Sequence, residues 1–136
     1  MSEKKFSLKL KYIIYASPDK VFEALTKSSI ISKWSDSAGR VSEKKGGSFE
    51  LFDGWVNGEV LIYKPGKKLS YSWKPSEWDK KTPPSIVTYT FNEHKAGTEI
   101  ILEHTNFPSA EEVAKHKDGW INYVFEPLND YFTSLI

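Results

Sequence analysis

The sequence predicts an α+β domain: a curved antiparallel β-sheet of about seven strands wrapped around a long C-terminal helix, with two short helices after the first strand. Three observations carry this. The stretch from Ala110 to Ile136 is helical in pattern. On a wheel of ~100° per residue, Trp120, Tyr123, Val124, Pro127, Leu128, Tyr131 and Leu135 fall together, and Ile121, Phe125 and Phe132 widen the same face. That apolar arc covers roughly half the wheel, wider than a helix resting on a flat surface needs, so its partner must be concave. The residues from Arg40 to Thr105 read as short strands separated by turns, which favours an antiparallel meander. A twisted sheet of that size curls and offers a concave face.

Taken in order, Phe6, Leu8, Leu10, Tyr12 and Ile14 alternate with Ser7, Lys9, Lys11 and Ile13, a strand with one buried face. Ser17-Pro18-Asp19 starts a helix: Ser17 can cap, Pro18 suits the first turn and Asp19 complements the dipole. Val21, Phe22 and Leu25 form its buried stripe. Ser28-Ser29 breaks it, and Ile30, Ile31 and Trp34 predict a second short helix. Gly46-Gly47 leads into Ser48 to Phe52, and Asp53-Gly54 is a hairpin signal. Val56 to Tyr63 is the next strand and Pro65-Gly66 the next turn. Leu69, Tyr71 and Trp73 alternate with polar residues. Pro75 to Pro84 is a loop around an exposed-looking Trp78. Ile86 to Phe91 and Thr98 to Thr105 are strands, and Ser109 caps the last helix. Pro127 lacks the donor that would bond the carbonyl of Tyr123 and should kink that helix.

The 136 residues make a single domain, 1–136, and 39% hydrophobic content is enough for a core. A net charge of +1 calls for neither a nucleic-acid partner nor a strongly acidic one. The absence of cysteine excludes disulfides and thiol chemistry. Met1-Ser-Glu-Lys-Lys is not followed by an apolar run, so no signal peptide is read there, and nothing approaches the ~18 apolar residues of a membrane span. The expectation is a cytoplasmic domain.

Catalytic chemistry is not written in any strong motif. Ser17, Ser35 and Ser37 lie in no nucleophile elbow. Gly46-Gly47 lacks the following Lys-Ser/Thr of a phosphate loop and reads as a turn or bulge. His94, His104 and His116 share no metal-ligand spacing and are expected to be solvent-exposed or capping; no metal and no cofactor are predicted. Glu50, flanked by Phe49 and Leu51, is expected to face water. No catalytic residue is assigned.

The aromatic set is more informative. Trp55, Tyr71, Trp73 and Tyr89 come from the strand region, and Trp120, Tyr123, Val124, Pro127 and Tyr131 from the last helix. Together they form either an ordinary aromatic core or a ligand pocket in which phenol and indole groups orient a small apolar molecule. Trp78, among lysines and prolines, reads equally as a partner-protein contact or as a loop anchor folded back on the core.

A series of short segments carries a family resemblance. Gly46-Gly47-Ser48-Phe49-Glu50-Leu51-Phe52-Asp53-Gly54, then Val56-Asn57-Gly58-Glu59 and Lys67-Lys68-Leu69-Ser70-Tyr71-Ser72-Trp73, come first. Ser85-Ile86-Val87, Gly97-Thr98-Glu99-Ile100, His104-Thr105-Asn106-Phe107-Pro108 and Gly119-Trp120 follow. In this order they resemble the C-terminal domain of the activators of heat-shock-protein-90 ATPase, within the helix-grip superfamily of START lipid-transfer proteins and the birch-pollen allergen. The resemblance implies the same curved sheet around a long helix. It also implies a non-enzymatic regulatory domain with an Hsp90-type chaperone as partner and a role in stress response. The superfamily allows two alternatives. One is a carrier or sensor of a small hydrophobic ligand between sheet and helix. The other is a cyclase- or hydrolase-type enzyme, which requires an inward-facing acid, base or histidine beside that pocket.

Overall fold

The computed structural model describes residues 6–135; the leader reading on residues 1–5 and the predicted last helical residue, Ile136, lie outside them. Strand β1 (Phe6–Ile14) is followed by helices α1 (Pro18–Thr26) and α2 (Ser28–Ser35). Six strands come next: β2 (Arg40–Val41), β3 (Ser48–Leu51), β4 (Val56–Lys64), β5 (Lys68–Pro75), β6 (Ser85–His94) and β7 (Gly97–Phe107). The seven form one curved antiparallel sheet in the order β1-β7-β6-β5-β4-β3-β2. Consecutive strands pair as a meander, and β1 closes on β7 with Leu10 opposite Leu102 and Tyr12 opposite Ile100.

Alternation determines which residues the sheet turns inward. Leu69, Tyr71 and Trp73 of β5, Val87, Tyr89 and Phe91 of β6, and Ile100 and Leu102 of β7 are all buried. Glycine matters at one strand position. A Cβ on Gly58 would lie 1.9 Å from the carbonyl oxygen of Ser72, so β4 approaches β5 there only without a side chain. α1 and α2 share Lys27 as C-cap and N-cap, and the break falls there, one residue before the Ser28-Ser29 pair. The Trp34 indole ties the two helices by donating to the Ala24 carbonyl at 2.7 Å. Ser17 sits at the α1 N-cap, but its hydroxyl makes no capping bond. Ser109 does cap, accepting from the Glu112 N–H at 3.2 Å.

The C-terminal helix is continuous but not regular. α3 (Ala110–Gly119) passes into a π-helical segment (Trp120–Phe125) and then into α4 (Glu126–Thr133), with right-handed helical dihedrals at every junction. The Glu126 N–H bonds to the Ile121 carbonyl, five residues back, immediately before Pro127. The interruption expected at Pro127 therefore takes the form of a widened turn. Pro127 itself follows as the second residue of α4, where the widened turn makes room for its ring and its missing N–H. Trp120, Val124, Phe125 and Leu128 are buried, with α4 packed on α2 and β1, whereas Tyr123 is 68% exposed and Leu135 65%. Both lie on the face expected to be gripped. A uniform 100° wheel misplaces Tyr123, because the π turn holds more residues than an α turn and rotates the face, and Leu135 lies past the end of α4.

Candidate functional site

The inward face of the sheet and the start of the π segment meet in a knot of tryptophan and histidine. β5 supplies Trp73, the first residue of β6 supplies Ser85, β7 supplies His104, α3 supplies His116 and the π segment supplies Trp120. Ser85 Oγ donates to the Trp73 carbonyl at 2.7 Å, so it accepts from Nε2–H of His104 at 2.8 Å. That leaves Nδ1 of His104 to accept the Trp120 indole N–H at 3.0 Å. The Trp73 indole N–H donates to Nε2 of His116 at 3.1 Å, and Nδ1–H of His116 donates to the Glu112 carbonyl at 2.9 Å. Each imidazole thus has one tautomer set by its partners. The two imidazoles lie 5.2 Å apart, and the Trp73 and Trp120 rings 4.9 Å apart.

This arrangement holds both histidines neutral. Burial pushes the pKa of His104 well below the ordinary range, and the neighbouring His116 adds to the effect. Burial also lowers His116, with partial opposition from its bond to the Glu112 carbonyl and from the Glu112 carboxylate. His104 and His116 correct the sequence expectation: both are buried, at 0% and 8% exposure, rather than solvent-exposed. His94 is exposed as expected, at the last residue of β6 rather than in the turn, and its Nδ1 accepts from the Ala96 N–H.

Beside this knot lies a cavity of about 200 Å³. Trp73, Trp120 and Val124 form its inner wall, and Phe52 and Trp55 close it from the β3–β4 turn. The turn is built from three consecutive residues with positive φ: Phe52 at 55°, Asp53 at 58° and Gly54 at 85°. A phenylalanine in that region is strained, and such strain persists only where neighbours hold it. Asp53 supplies the hold, donating its N–H to the Ala38 carbonyl and accepting the Ala38 N–H on Oδ1. The open side carries Glu77, Glu112, Lys115 and the exposed Tyr123. Glu77 accepts the Trp55 indole N–H at 2.6 Å; Glu112 accepts that of Trp78 at 3.1 Å and pairs with Lys115 at 3.3 Å. With Trp34, all five indole N–H groups of the chain have partners.

Of the residues expected to line a pocket, Trp55, Trp73, Trp120, Tyr123 and Val124 surround this cavity. Tyr71 and Tyr89 do not: they are fully buried in the core, their hydroxyls 2.5 Å apart. Desolvation raises both phenol pKa values. Pro127 is absent from the lining, and Tyr131 lies in a separate groove with Phe132, Leu135 and Ile30. Trp78 is half-buried and packs its ring 6.0 Å from that of His116, the geometry of a loop anchored on α3 rather than of an exposed residue. The sequence reading missed Phe52, Glu77, Glu112, Lys115, Gly119 and the two histidines. A signal existed for His104, which shares the parity of the core residues Ile100 and Leu102. Another existed for His116, one helical turn before Trp120. Neither ring nitrogen of His116 is left over to move a substrate proton. Among the described residues no group of three or more His, Cys, Asp or Glu side chains is placed to hold a metal ion. No helix among them is long and apolar enough to cross a membrane.

A meander that grips an interrupted C-terminal helix, with an aromatic cavity between the two, defines a START-like helix-grip domain. The chain belongs to the family described as Activator of Hsp90 ATPase homolog 1-like protein, whose model matches residues 15–133. It is similar to the mouse "Activator of 90 kDa heat shock protein ATPase homolog 1", with 27% identity over 123 residues, 90% of this chain and 36% of that protein. The chain thus spans about a third of the length of the curated relatives it matches. Among solved structures, an HSP90 activator from Plasmodium falciparum is 27% identical with a TM-score of 0.78, over 95% of this chain and 96% of that one. A Mesorhizobium loti protein is 26% identical with a TM-score of 0.81, over 95% and 98%.

Proposed function

We propose that this chain is a non-enzymatic regulatory domain that binds an Hsp90-type chaperone and modulates its ATPase, in a cytoplasmic stress-response setting. The observation that carries the reading is the likeness, along nearly the whole of both chains, to the Plasmodium falciparum HSP90 activator. The exposed Tyr123 and Trp55, with Trp78 beside them on its α3 anchor, offer the aromatic surface on which such a contact would centre. The test is to add the purified chain to an Hsp90-type ATPase and follow both binding and turnover. Stimulation that weakens in a Tyr123→Ala variant supports the reading. No binding together with no change in rate removes it.

A second reading, a carrier or sensor of a small apolar ligand, is favoured by the cavity between Trp73, Trp120 and Val124. Native mass spectrometry of freshly purified protein tests it. A bound mass that leaves on denaturation supports a carrier; protein that is consistently empty and takes up no apolar probe argues against one.

A further inference from the structure

The geometry points to a small aromatic amine as the ligand of the cavity, its ring between Trp55, Trp73 and Trp120 and its protonated amino group at the mouth beside Glu77. This rests on the ligand-binding reading above and narrows it to a ligand that is apolar in its buried part and cationic at its outer end.

Size restricts the ligand first. An apolar cavity of roughly 150 Å³ takes up benzene. The cavity here, at about 200 Å³, encloses one ring and a tail of a few atoms, and anything longer must run out through its open side. Hydrogen bonding places the ring next. The donors of Trp73 and Trp120 are spent on His116 and His104, and both nitrogens of His116 are occupied. A polar group pushed to the inner wall would lose its water and find no partner there, so the inner part of the ligand is plain hydrocarbon.

Charge then decides the outer end. The mouth carries the carboxylates of Glu77 and Glu112 against the single ammonium of Lys115, and His116 between them is neutral. Lys115 is already matched by Glu112 at 3.3 Å. Among the described residues Glu77 has no ion-pair partner; it accepts one hydrogen bond, from Trp55 on Oε1, which leaves Oε2 for a ligand. The faces of the surrounding indoles and of Tyr123 carry the negative side of the aromatic quadrupole and attract a cation further. An anionic ligand would meet the same groups as repulsion.

Three probes of one size and different charge separate the possibilities: phenethylamine, phenethyl alcohol and phenylacetate. Each is titrated into the full chain at pH 8 and low salt, with tryptophan emission and calorimetry as readouts. Phenethylamine is expected to bind about tenfold more tightly than the alcohol, a difference of about 1.4 kcal/mol, and phenylacetate most weakly. Glu77→Gln keeps an acceptor for Trp55 while removing the charge. It should bring the amine to within about threefold of the alcohol, and in the unaltered chain added salt should narrow the same gap. Equal binding of amine and alcohol, or preference for the acid, overturns the amine assignment while leaving the cavity a ligand site. If none of the three binds, the ligand reading falls with it.

Discussion

The indole N–H of Trp120 donates to Nδ1 of His104 at 3.0 Å, and both side chains are almost wholly buried. The bond fastens the π segment to β7 at the inner end of the cavity. Its opposite ring nitrogen is fastened to Ser85. A buried imidazole used in this way is a structural fastener: removing it strands the Trp120 donor and leaves Ser85 only its bond to the Trp73 carbonyl.

Replacing the imidazole by a hydrocarbon tests this. His104→Leu strands the Trp120 N–H and removes the N–H that Ser85 Oγ accepts, while Ser85 keeps its bond to the Trp73 carbonyl. The expected loss is about 1–3 kcal/mol, from the cost of one unsatisfied buried donor. It should appear as a lower urea midpoint with an unchanged slope.

Acid should loosen the same knot. The folded state lowers the pKa of His104 and His116 below the ordinary value of about 6.5 that applies unfolded. Below that value the unfolded chain binds more protons than the folded one, so unfolding is favoured as pH falls. The histidine contribution is therefore fully present above about pH 6.5 and is lost progressively beneath it. For His104 the slope is at most about 1.4 kcal/mol per pH unit. Thermal melts from pH 8 to pH 5 should show the decline, and His104→Gln should flatten it.

The hydroxyls of Tyr71 and Tyr89 depend on each other in the core. Tyr71→Phe alone leaves the Tyr89 hydroxyl buried without its partner and should cost about 1–3 kcal/mol. Adding Tyr89→Phe removes the orphan and should recover much of that loss. A double-mutant cycle on denaturation midpoints measures the coupling; strictly additive losses would mean that the pair is not interdependent.

Pro127→Ala separates the two descriptions of the last helix. Were proline sitting in a helix interior, its removal would stabilise by about 3 kcal/mol. Because the widened turn before it already accommodates its ring and missing donor, alanine should instead lower stability by up to about 1 kcal/mol, through the freer unfolded chain.

The sheet was legible because alternation is local: Leu69, Tyr71 and Trp73 on β5 announce their face without reference to any other strand. The wide apolar arc likewise announced a concave partner for the helix. The π turn was not legible, since the switch from four- to five-residue bonding before Pro127 depends on how Trp120 and Phe125 seat on the sheet, and this misplaced Tyr123. Half of the site was equally hidden. Glu77 and Glu112 lie 35 residues apart along the chain and meet only because Trp55 and Trp78 direct each carboxylate to the mouth. The histidines carried a readable parity, but charge and spacing rules look for metals and bases. They do not look for an imidazole that serves as acceptor to an indole.

The pairing of β1 with β7 also imposes an order in time. Phe6 lies opposite Phe107, 101 residues further along the chain. On the ribosome the first strand must wait, unpaired, until almost all of the sheet has emerged, and the helix that fills the bowl comes later still. Topologies of this kind assemble slowly.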